Sequence, residues 1–331
     1  MIKGKNILIT GGAGFIGSHL VDALVENNNI TVYDDFSSGK YENIKHLDQH
    51  GNCTLIKDSV LNFENLLKAC KGVDMAFHLA VQCIRLSIEK PFDNHEINAT
   101  GSLYACEAAR RAGIKRLVYV SSSEVYGTAI NEKILESDPC IPTTVYGGAK
   151  LCGEAYARAY NRTYGLETII VRPFNTYGPR EHYEGVFGEV IPKFLIRMVN
   201  GLPPIIHGDG LQTRDFTYVS DTVDGIIRAS ICDKLIGDAV NIAAGKEQSI
   251  RDIAQIISEV TGIAIQPIFQ SERPGDVRRH YADITRAKNI LNYKPMIKIR
   301  DGIRMYYEWL TASHNVKSLI KEEKERNWVL K

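Results

Sequence analysis

Residues 5–10, Lys-Asn-Ile-Leu-Ile-Thr, run directly into Gly11-Gly12-Ala13-Gly14-Phe15-Ile16-Gly17, and this stretch decides the fold. The apolar run predicts a buried β-strand, and the residues near 15–27 predict the helix that follows it. Glycines at 11, 14 and 17 permit a sharp turn, a close backbone approach and tight packing of helix on strand. The stretch therefore favours a dinucleotide site, with a pyrophosphate at the helix N-terminus.

The alternation of strands and helices continues through the first half of the chain. Runs rich in Val, Ile and Leu between helices indicate a parallel sheet that is covered on both faces. Because crossovers between parallel strands are right-handed, we expect a Rossmann-type, doubly wound α/β sheet. The predicted strands are 30–34, 53–57, 74–78, 115–121 and 167–172, and the predicted helices lie near 62–70, 92–112 and 146–164.

After about residue 175 the pattern loosens, and Gly and Pro interrupt it. Helical periodicity returns near 186–200, 216–231, 249–261 and 298–312. We expect a dinucleotide-binding domain of residues 1–176, with roughly 210–245 returning to it. A smaller, mixed α/β substrate-binding lobe would comprise 177–209 and 246–331, and its charged tail from Ser313 to Lys331 is predicted to be helical.

Composition excludes several classes of function. The 331 residues include 40 basic and 39 acidic ones, a balance without the charge excess that nucleic-acid or anionic-membrane binding requires. No apolar run approaches the roughly 18–20 residues that span a bilayer, and no secretory leader is evident. The seven cysteines are scattered without a Cys-x-x-Cys motif, which argues against a disulfide framework or a zinc site. We expect a cytoplasmic protein with no metal and with neither nucleic acid nor membrane as partner.

Two aspartates follow strands of the predicted sheet. Asp34 ends the second strand, twenty residues after Gly14. A carboxylate there can accept hydrogen bonds from both adenosine ribose hydroxyls and would repel a 2′-phosphate, so we predict NAD rather than NADP. Asp58, after the third strand, is placed to meet the adenine amino group.

A serine cluster and a tyrosine–lysine pair carry the candidate chemistry. The serines of Ser121-Ser122-Ser123 follow a buried strand, while Tyr146 and Lys150 share one face of a predicted helix. The pKa of a tyrosine is about 10, and a neighbouring ammonium, together with the positive nicotinamide, would lower it. The phenolate could then accept the proton of a substrate hydroxyl as hydride leaves for NAD, with a serine holding the same hydroxyl.

These features together resemble an extended short-chain dehydrogenase/reductase of the nucleotide-sugar epimerase/dehydratase family. The resemblance covers nearly the whole chain. It rests on GGAGFIG (11–17), YDDFSSGK (33–40), HLAV (78–81), SSSEVYG (121–127), YGGAK (146–150), RPFNTYGPR (172–180), GDGLQTRDFTYVSD (208–221) and RPGD (273–276).

The resemblance implies roles for single residues. Ser122, Tyr146 and Lys150 would form the catalytic triad, with Ser123 and Glu124 beside it. The residues that would bind NAD are Gly11, Gly14, Phe15, Ile16, Gly17, Asp34, Asp35, Ser38, Gly39, Asp58, Ser59, Leu79, Ala80, Val81 and Asn98, together with Tyr146 and Lys150. The residues that would bind a nucleoside-diphosphate sugar are Arg85, Asn175, Val190, Arg214, Arg273 and Asp276, with the arginines suited to phosphates.

The reaction is less closely determined. Family members that are similar here oxidise C4 of the sugar to a ketone and then differ. A 4-epimerase returns the hydride to the other face, whereas the familiar 4,6-dehydratases use an adjacent Asp-Glu pair where this chain has Ser123 and Glu124. We therefore favour a 4-epimerase of a UDP-hexose or UDP-uronate, with a dehydratase or a UDP-glucuronate decarboxylase as alternatives. For a uronate, Arg85 or Arg180 is the candidate cation for the C6 carboxylate.

Two further expectations concern partners. A Rossmann protein that only senses NAD(H) is a distant alternative, because such proteins tend to lose the tyrosine or the lysine, and this chain retains both. Family likeness implies a homodimer that pairs through the helix bearing Tyr146 and the one near 92–112. The small side chains of Cys106, Ala108, Ala109 and Ala112 would suit close packing of that earlier helix.

Overall fold

The structure, a computed structural model, describes residues 2–273 and 275–326. Its strands are β1 (Asn6–Thr10), β2 (Asn29–Asp34), β3 (Cys53–Lys57), β4 (Met75–His78), β5 (Arg116–Val120), β6 (Glu167–Pro173), β7 (Thr176–Tyr177), β8 (Ile205–His207), β9 (Thr213–Arg214), β10 (Thr217–Tyr218), β11 (Ala239–Ile242), β12 (Gln248–Ser249) and β13 (Ile268–Gln270). Its α-helices are α1 (Phe15–Val25), α2 (Phe63–Ala69), α3 (Ile84–Glu89), α4 (Pro91–His95), α5 (Gly101–Ala112), α6 (Val145–Tyr164), α7 (Val190–Val199), α8 (Val219–Ser230), α9 (Ile250–Thr261), α10 (Thr285–Leu291), α11 (Ile299–Ser313) and α12 (Val316–Leu319). None of these helices is long and apolar enough to cross a membrane.

Seven parallel strands form the central sheet in the order β11-β6-β5-β4-β1-β2-β3. The order reverses between β1 and β4, which is where ligands bind in doubly wound sheets. The Rossmann-type α/β fold predicted from the sequence is therefore confirmed. Strand β11 lies within the segment 210–245 that was expected to return to the sheet, while the domain boundaries themselves stay a prediction.

Both faces of the sheet are covered, which explains the continuous apolar runs. On one face Ile7 and Ile9 of β1 belong to a core cluster that includes Leu20 of α1. On the other face Leu8 of β1 packs in a cluster that includes Ala108 of α5. Successive residues of a strand point to opposite faces, so the three central positions of β1, residues 7–9, are all apolar.

The small residues of α5 are core residues. Cys106, Ala108 and Ala109 are at most 1% exposed and pack in the cluster that lies against the sheet. Their small size lets the helix approach the strands closely and offers no free surface to a second chain. These side chains are thus no evidence for the predicted homodimer, which stays a prediction.

The C-terminal part differs from the expected helical tail. Helix α11 ends at Ser313, α12 is a single turn, and residues 320–326 form turns and irregular backbone. The irregular path brings the carboxylate of Glu323 to Lys193 and Arg197 on α7, at 3.1 and 3.0 Å. The prediction is therefore wrong for 320–326, and residues 327–331 of the predicted tail lie outside the described residues.

A buried ion pair ties α6 to β6. Arg172 donates to both carboxylate oxygens of Glu154, at 2.8 and 2.6 Å, and the Ser121 hydroxyl donates to the same carboxylate at 2.6 Å. Burial by itself raises the pKa of Glu154, but its bonds to Arg172, Ser121 and Arg158 outweigh this and hold the pKa below its ordinary value. The charged carboxylate is thus the form that stabilises this connection.

Replacing Glu154 by Gln is expected to lower the free energy of unfolding by about 3–5 kcal/mol, because Arg172 would remain buried without its counter-ion. Urea denaturation at neutral pH measures this loss. Glu259→Gln, which removes an exposed ion pair with Arg300, is the matched control and should cost at most about 1 kcal/mol. Since the Glu154 carboxylate stabilises the fold only above its folded pKa, wild type and Glu154→Gln should converge at low pH, and a constant difference would contradict the assignment.

Candidate active site

One cavity of about 420 Å³ runs along the carboxyl ends of the central strands, across the point where the strand order reverses. It joins the glycine loop, the serine cluster and the second lobe. Of the residues predicted to form the site, those that line it are Gly11, Gly14, Phe15, Ile16, Gly17, Asp34, Asp35, Ser38, Asp58, Leu79, Ala80, Val81, Arg85, Ser122, Ser123, Glu124, Tyr146, Lys150, Asn175, Val190, Arg214, Arg273 and Asp276.

The glycine loop has almost no room for side chains on its inner side. A Cβ on Gly11, whose φ is +70°, would lie 2.6 Å from the backbone nitrogen of Ala80. A Cβ on Gly17 would lie 2.0 Å from the carbonyl oxygen of Gly11. At Gly14 a Cβ would meet only that same oxygen, at 3.2 Å, and no side chain caps α1 there. The N-terminus of α1 thus opens on the cavity, as binding of a pyrophosphate requires.

Asp34 is positioned for a ribose. Its two oxygens each accept one backbone N–H at 2.9 Å, from Ala13 and from Phe36. A carboxylate has about four acceptor positions, so two remain for ribose hydroxyls. Burial raises the pKa of Asp34, and the two backbone bonds oppose that rise. The residues present therefore fit NAD.

Asp58 is already bonded by its neighbours. Its carboxylate accepts from the Asn65 and Asn62 side chains, at 2.7 and 3.0 Å, and from the backbone of Ser59 at 2.8 Å. The bond from Asn65 is the main cause that lowers the pKa of Asp58. The carboxylate is thus fixed at the cavity wall, with its orientation set by α2.

Three of the predicted cofactor residues stand behind the wall of the cavity as described. Asn98 is fully buried, and its side chain accepts from the Gln82 N–H at 2.9 Å and donates to the Gln82 carbonyl at 3.0 Å. Gly39 leaves space for Asp34, because a Cβ there would lie 2.8 Å from a carboxylate oxygen. The Ser59 carbonyl accepts from Tyr33. As described, these three residues support those that line the site, and their direct contact with the cofactor stays a prediction.

The structure separates the three serines by function. Ser121 turns to Glu154 in the buried ion pair. Ser122 lines the cavity close enough to Tyr146 to lower the pKa of its phenol, and its hydroxyl accepts from the Glu124 N–H at 3.2 Å. Ser123 is buried and lines the cavity. Ser122 is thus the serine placed beside Tyr146 in the cavity wall.

The electrostatics of Tyr146 and Lys150 are set by burial. Burial raises the pKa of Tyr146 above its ordinary value, and the nearby Ser122 hydroxyl lowers it in part. Lys150 donates to the carbonyl of Val120 at 2.6 Å, and burial lowers its pKa to about 7. The expectation that the Lys150 ammonium and the nicotinamide charge together lower the pKa of Tyr146 stays a prediction.

Glu124 is a carboxyl group at the same end of the cavity. Burial raises its pKa, while the charges of Arg214 and Arg273 oppose that rise. Its Oε1 lies 3.9 Å from Nδ1 of His280, which is fully buried. The group is thus a potential proton carrier, and Ser123 beside it is no acid.

The opposite end of the cavity is cationic. Arg214 and Arg273 both donate to the same oxygen of Asp276, each at 2.6 Å. Burial would raise the pKa of Asp276, but the two guanidinium groups hold it below its ordinary value. Asn175 adds a buried side-chain oxygen that has no partner in the described part of the chain. Two arginines held by one carboxylate suit a diphosphate, and the Asn175 oxygen suits a ligand donor.

The two candidate uronate cations are both engaged. Arg85 is 4% exposed, forms an ion pair with Glu189 and donates to the Phe187 carbonyl at 3.0 Å. Arg180 binds Asp22 of α1 at 2.7 Å and does not line the cavity as described. Arg180 thus lies outside the described lining of the cavity, and its role as a ligand for the sugar stays a prediction.

Helix α7 contributes a wall that the sequence analysis did not identify. Lys193, Phe194 and Arg197 join Val190 in lining the cavity. Their spacing places them on one helical face, and this pattern could have identified them. Glu181 and Glu189 also line the cavity, but both stand in irregular segments where no periodicity marks them.

Known proteins are similar to this chain in sequence. The sequence model for the NAD dependent epimerase/dehydratase family matches residues 7–243. A putative UDP-glucose 4-epimerase of Methanocaldococcus jannaschii is 37% identical over 310 residues, which are 92% of this chain and 98% of the relative.

Two solved structures are similar over almost their full length. A UDP-N-acetylglucosamine 4-epimerase from Methanobrevibacter ruminantium, in complex with UDP-N-acetylmuramic acid, has a TM-score of 0.90 and 36% identity, with coverage of 95% of this chain and 100% of that one. A UDP-glucuronic acid 4-epimerase from Bacillus cereus, in complex with UDP-glucuronic acid and NAD, has a TM-score of 0.88 and 30% identity, with coverage of 93% and 100%.

Proposed function

This chain belongs to the NAD-dependent epimerase/dehydratase family, and we propose that it is a UDP-sugar 4-epimerase that works through a transient 4-keto sugar. The observation that carries the proposal is Tyr146, which lines one cavity with Ser122, Lys150 and the glycine loop. The names of the similar 4-epimerases support it as well.

The residues divide the work along the cavity. When bound, NAD supplies the acceptor of hydride and, in its oxidised form, a positive charge. The glycine loop and Asp34 would hold it by its pyrophosphate and ribose. Arg214 and Arg273 would bind the diphosphate of the sugar nucleotide. The side-chain oxygen of Asn175 would accept a hydrogen bond from a donor group elsewhere on the sugar nucleotide.

In the proposed reaction Tyr146 takes the proton of the C4 hydroxyl while the C4 hydrogen leaves as hydride, so that C4 becomes a ketone. Ser122 holds the C4 oxygen through its hydroxyl. The keto sugar then turns over, the hydride returns to its other face, and Tyr146 gives the proton back. This sequence needs no further acid or base, which agrees with Ser123 at the position beside Glu124.

The decisive experiment follows UDP-, dTDP-, GDP- and CDP-sugars by NMR with the purified holoenzyme. The expected product is the C4 epimer of a UDP-sugar. Loss of water with deuterium entering C5 or C6, or release of carbon dioxide, would instead show a dehydratase or a decarboxylase.

The carboxyl group of Glu124 favours the second candidate, a dehydratase, because it lines the cavity and could remove the C5 proton of the sugar. For a 4-epimerase we expect Glu124→Gln to keep kcat within about tenfold of wild type, whereas loss of a working general base costs about 10²–10⁴-fold. The assay is epimer formation under saturating substrate, with NAD content measured in parallel. A collapse of kcat with NAD still bound would support the second candidate.

We also propose a homodimer, by likeness to the family. Sedimentation velocity at micromolar concentration tests it, and a monomer there would contradict it. The buried side chains of α5 leave its exposed residues and those of α6 as the surfaces to mutate.

A further inference from the structure

The Arg85–Glu189 ion pair stands beside the reaction centre. Glu189 precedes α7, and its charge is close enough to Tyr146 to raise the pKa of that phenol and to act on Arg273. Arg85, in the first turn of α3, is its ion-pair partner. The pair thus lines the same cavity as the reacting phenol and the arginines assigned to the diphosphate, which is the cavity that would hold the sugar ring.

Arg85 serves more than one carboxyl group in this region. Its charge opposes the rise that burial causes in the pKa of Glu124 and in that of Glu181. Glu181 is also repelled by Glu189, and both line the cavity with Glu124. Arg85 thus contacts the Glu189 carboxylate, and Glu124 and Glu181 line the same cavity.

The other cations of the cavity are also engaged. Every lysine and arginine that lines the cavity as described, apart from Lys150, contacts a carboxylate. Lys150 instead donates to the backbone of β5. The pairs besides Arg85–Glu189 are Arg214–Asp276, Arg273–Asp276, Lys193–Glu323 and Arg197–Glu323.

We propose that this site accepts UDP-linked sugars whose C6 group is uncharged and rejects uronates, with Arg85–Glu189 as the specificity-determining pair. The proposal rests on the 4-epimerase function proposed above. A hydroxymethyl group at C6 brings no charge into the cavity, whereas a C6 carboxylate would be desolvated beside Glu189, whose partner Arg85 is already engaged. The similar UDP-glucuronic acid 4-epimerase has the same fold, so selection against uronates must come from side chains.

The test compares UDP-glucose with UDP-glucuronic acid as substrates of the holoenzyme, by kcat/KM and by calorimetric Kd. We expect wild type to favour UDP-glucose by about 100-fold, the factor that corresponds to two pKa units of charge interaction. Glu189→Gln keeps the shape and removes the charge, so it should narrow that preference by about tenfold. In Glu189→Gln the Arg85 guanidinium is released from its ion pair and can bind the uronate carboxylate. The double variant Glu189→Gln with Arg85→Ala removes this cation, so its use of UDP-glucuronic acid should fall back.

Glu259→Gln, on the exposed surface, is the control and should leave the ratio unchanged. Two results would overturn the proposed selection against uronates and leave the proposed 4-epimerisation intact. One is equal kcat/KM of wild type for the two sugars, and the other is the wild-type ratio of the two kcat/KM values in Glu189→Gln. If neither sugar is converted but both bind, the proposed 4-epimerisation fails for these sugars, and the ratio of the two Kd values still decides the charge selection. The double variant and the circular dichroism of each protein separate a specific effect from misfolding.

Discussion

Replacing Tyr146 by Phe is expected to lower kcat for the UDP-sugar by about 10³-fold while NAD stays bound, because the proton carrier is removed and the ring remains. Tyr146 lines the cavity beside Ser122, and its hydroxyl is the group that the mechanism requires. The measurements are kcat by NMR and NAD content by absorbance after denaturation. With NAD retained, the loss belongs to the proton-transfer step.

The chain offers a matched control for this substitution. Tyr293 is fully buried in the hydrophobic core, and its hydroxyl has no hydrogen-bond partner in the described residues. Tyr293→Phe removes the same atom from a similar environment and should leave kcat within about twofold of wild type. Should Tyr146→Phe turn over as fast as Tyr293→Phe, the assigned role of Tyr146 is wrong.

A second consequence concerns how Tyr146 becomes a base. Burial raises its pKa, and Lys150 is engaged with the carbonyl of Val120. The positive charge of oxidised nicotinamide would add to that of Lys150 in stabilising the phenolate. The tyrosine is thus expected to be a stronger base when the cofactor is bound in the form that can accept hydride.

Residues that act through local geometry could be predicted from the sequence. The glycine spacing at 11, 14 and 17 and the four-residue step from Tyr146 to Lys150 each depend on one loop or one helix turn. The central sheet could also be predicted from the sequence, because strands buried on both faces are near-continuous apolar runs. For these features the neighbours in sequence are also the neighbours in space.

Pairings between distant segments could not be predicted. Arg85 and Glu189 meet only because α3 packs near the segment that precedes α7, and Glu323 reaches Arg197 only because the tail leaves its helical path. The direction of Lys150 is likewise a matter of burial against β5. Each of these depends on how charges and free volume are distributed in three dimensions, and no period or spacing in the chain encodes that.

Gly17→Ala is expected to weaken NAD binding by about 100-fold. The new Cβ would lie 2.0 Å from the Gly11 carbonyl oxygen and 2.9 Å from the Gly12 Cα, and both are backbone atoms that cannot move without shifting the loop. Overpacking of this kind costs up to about 3 kcal/mol, which is about 100-fold in Kd when the loop is the binding site. NAD retained after purification and the Kd of added NAD are the readouts.

Two further glycines separate packing from ligand contact. Gly51→Ala meets no atom within 4 Å and should change neither stability nor NAD binding. Gly14→Ala meets only the Gly11 oxygen, at 3.2 Å, but points toward the cavity, so it should weaken NAD binding with little loss of thermal stability. If Gly14→Ala binds NAD as wild type does, the pyrophosphate does not lie over the N-terminus of α1, and the cofactor site must be placed elsewhere in the cavity.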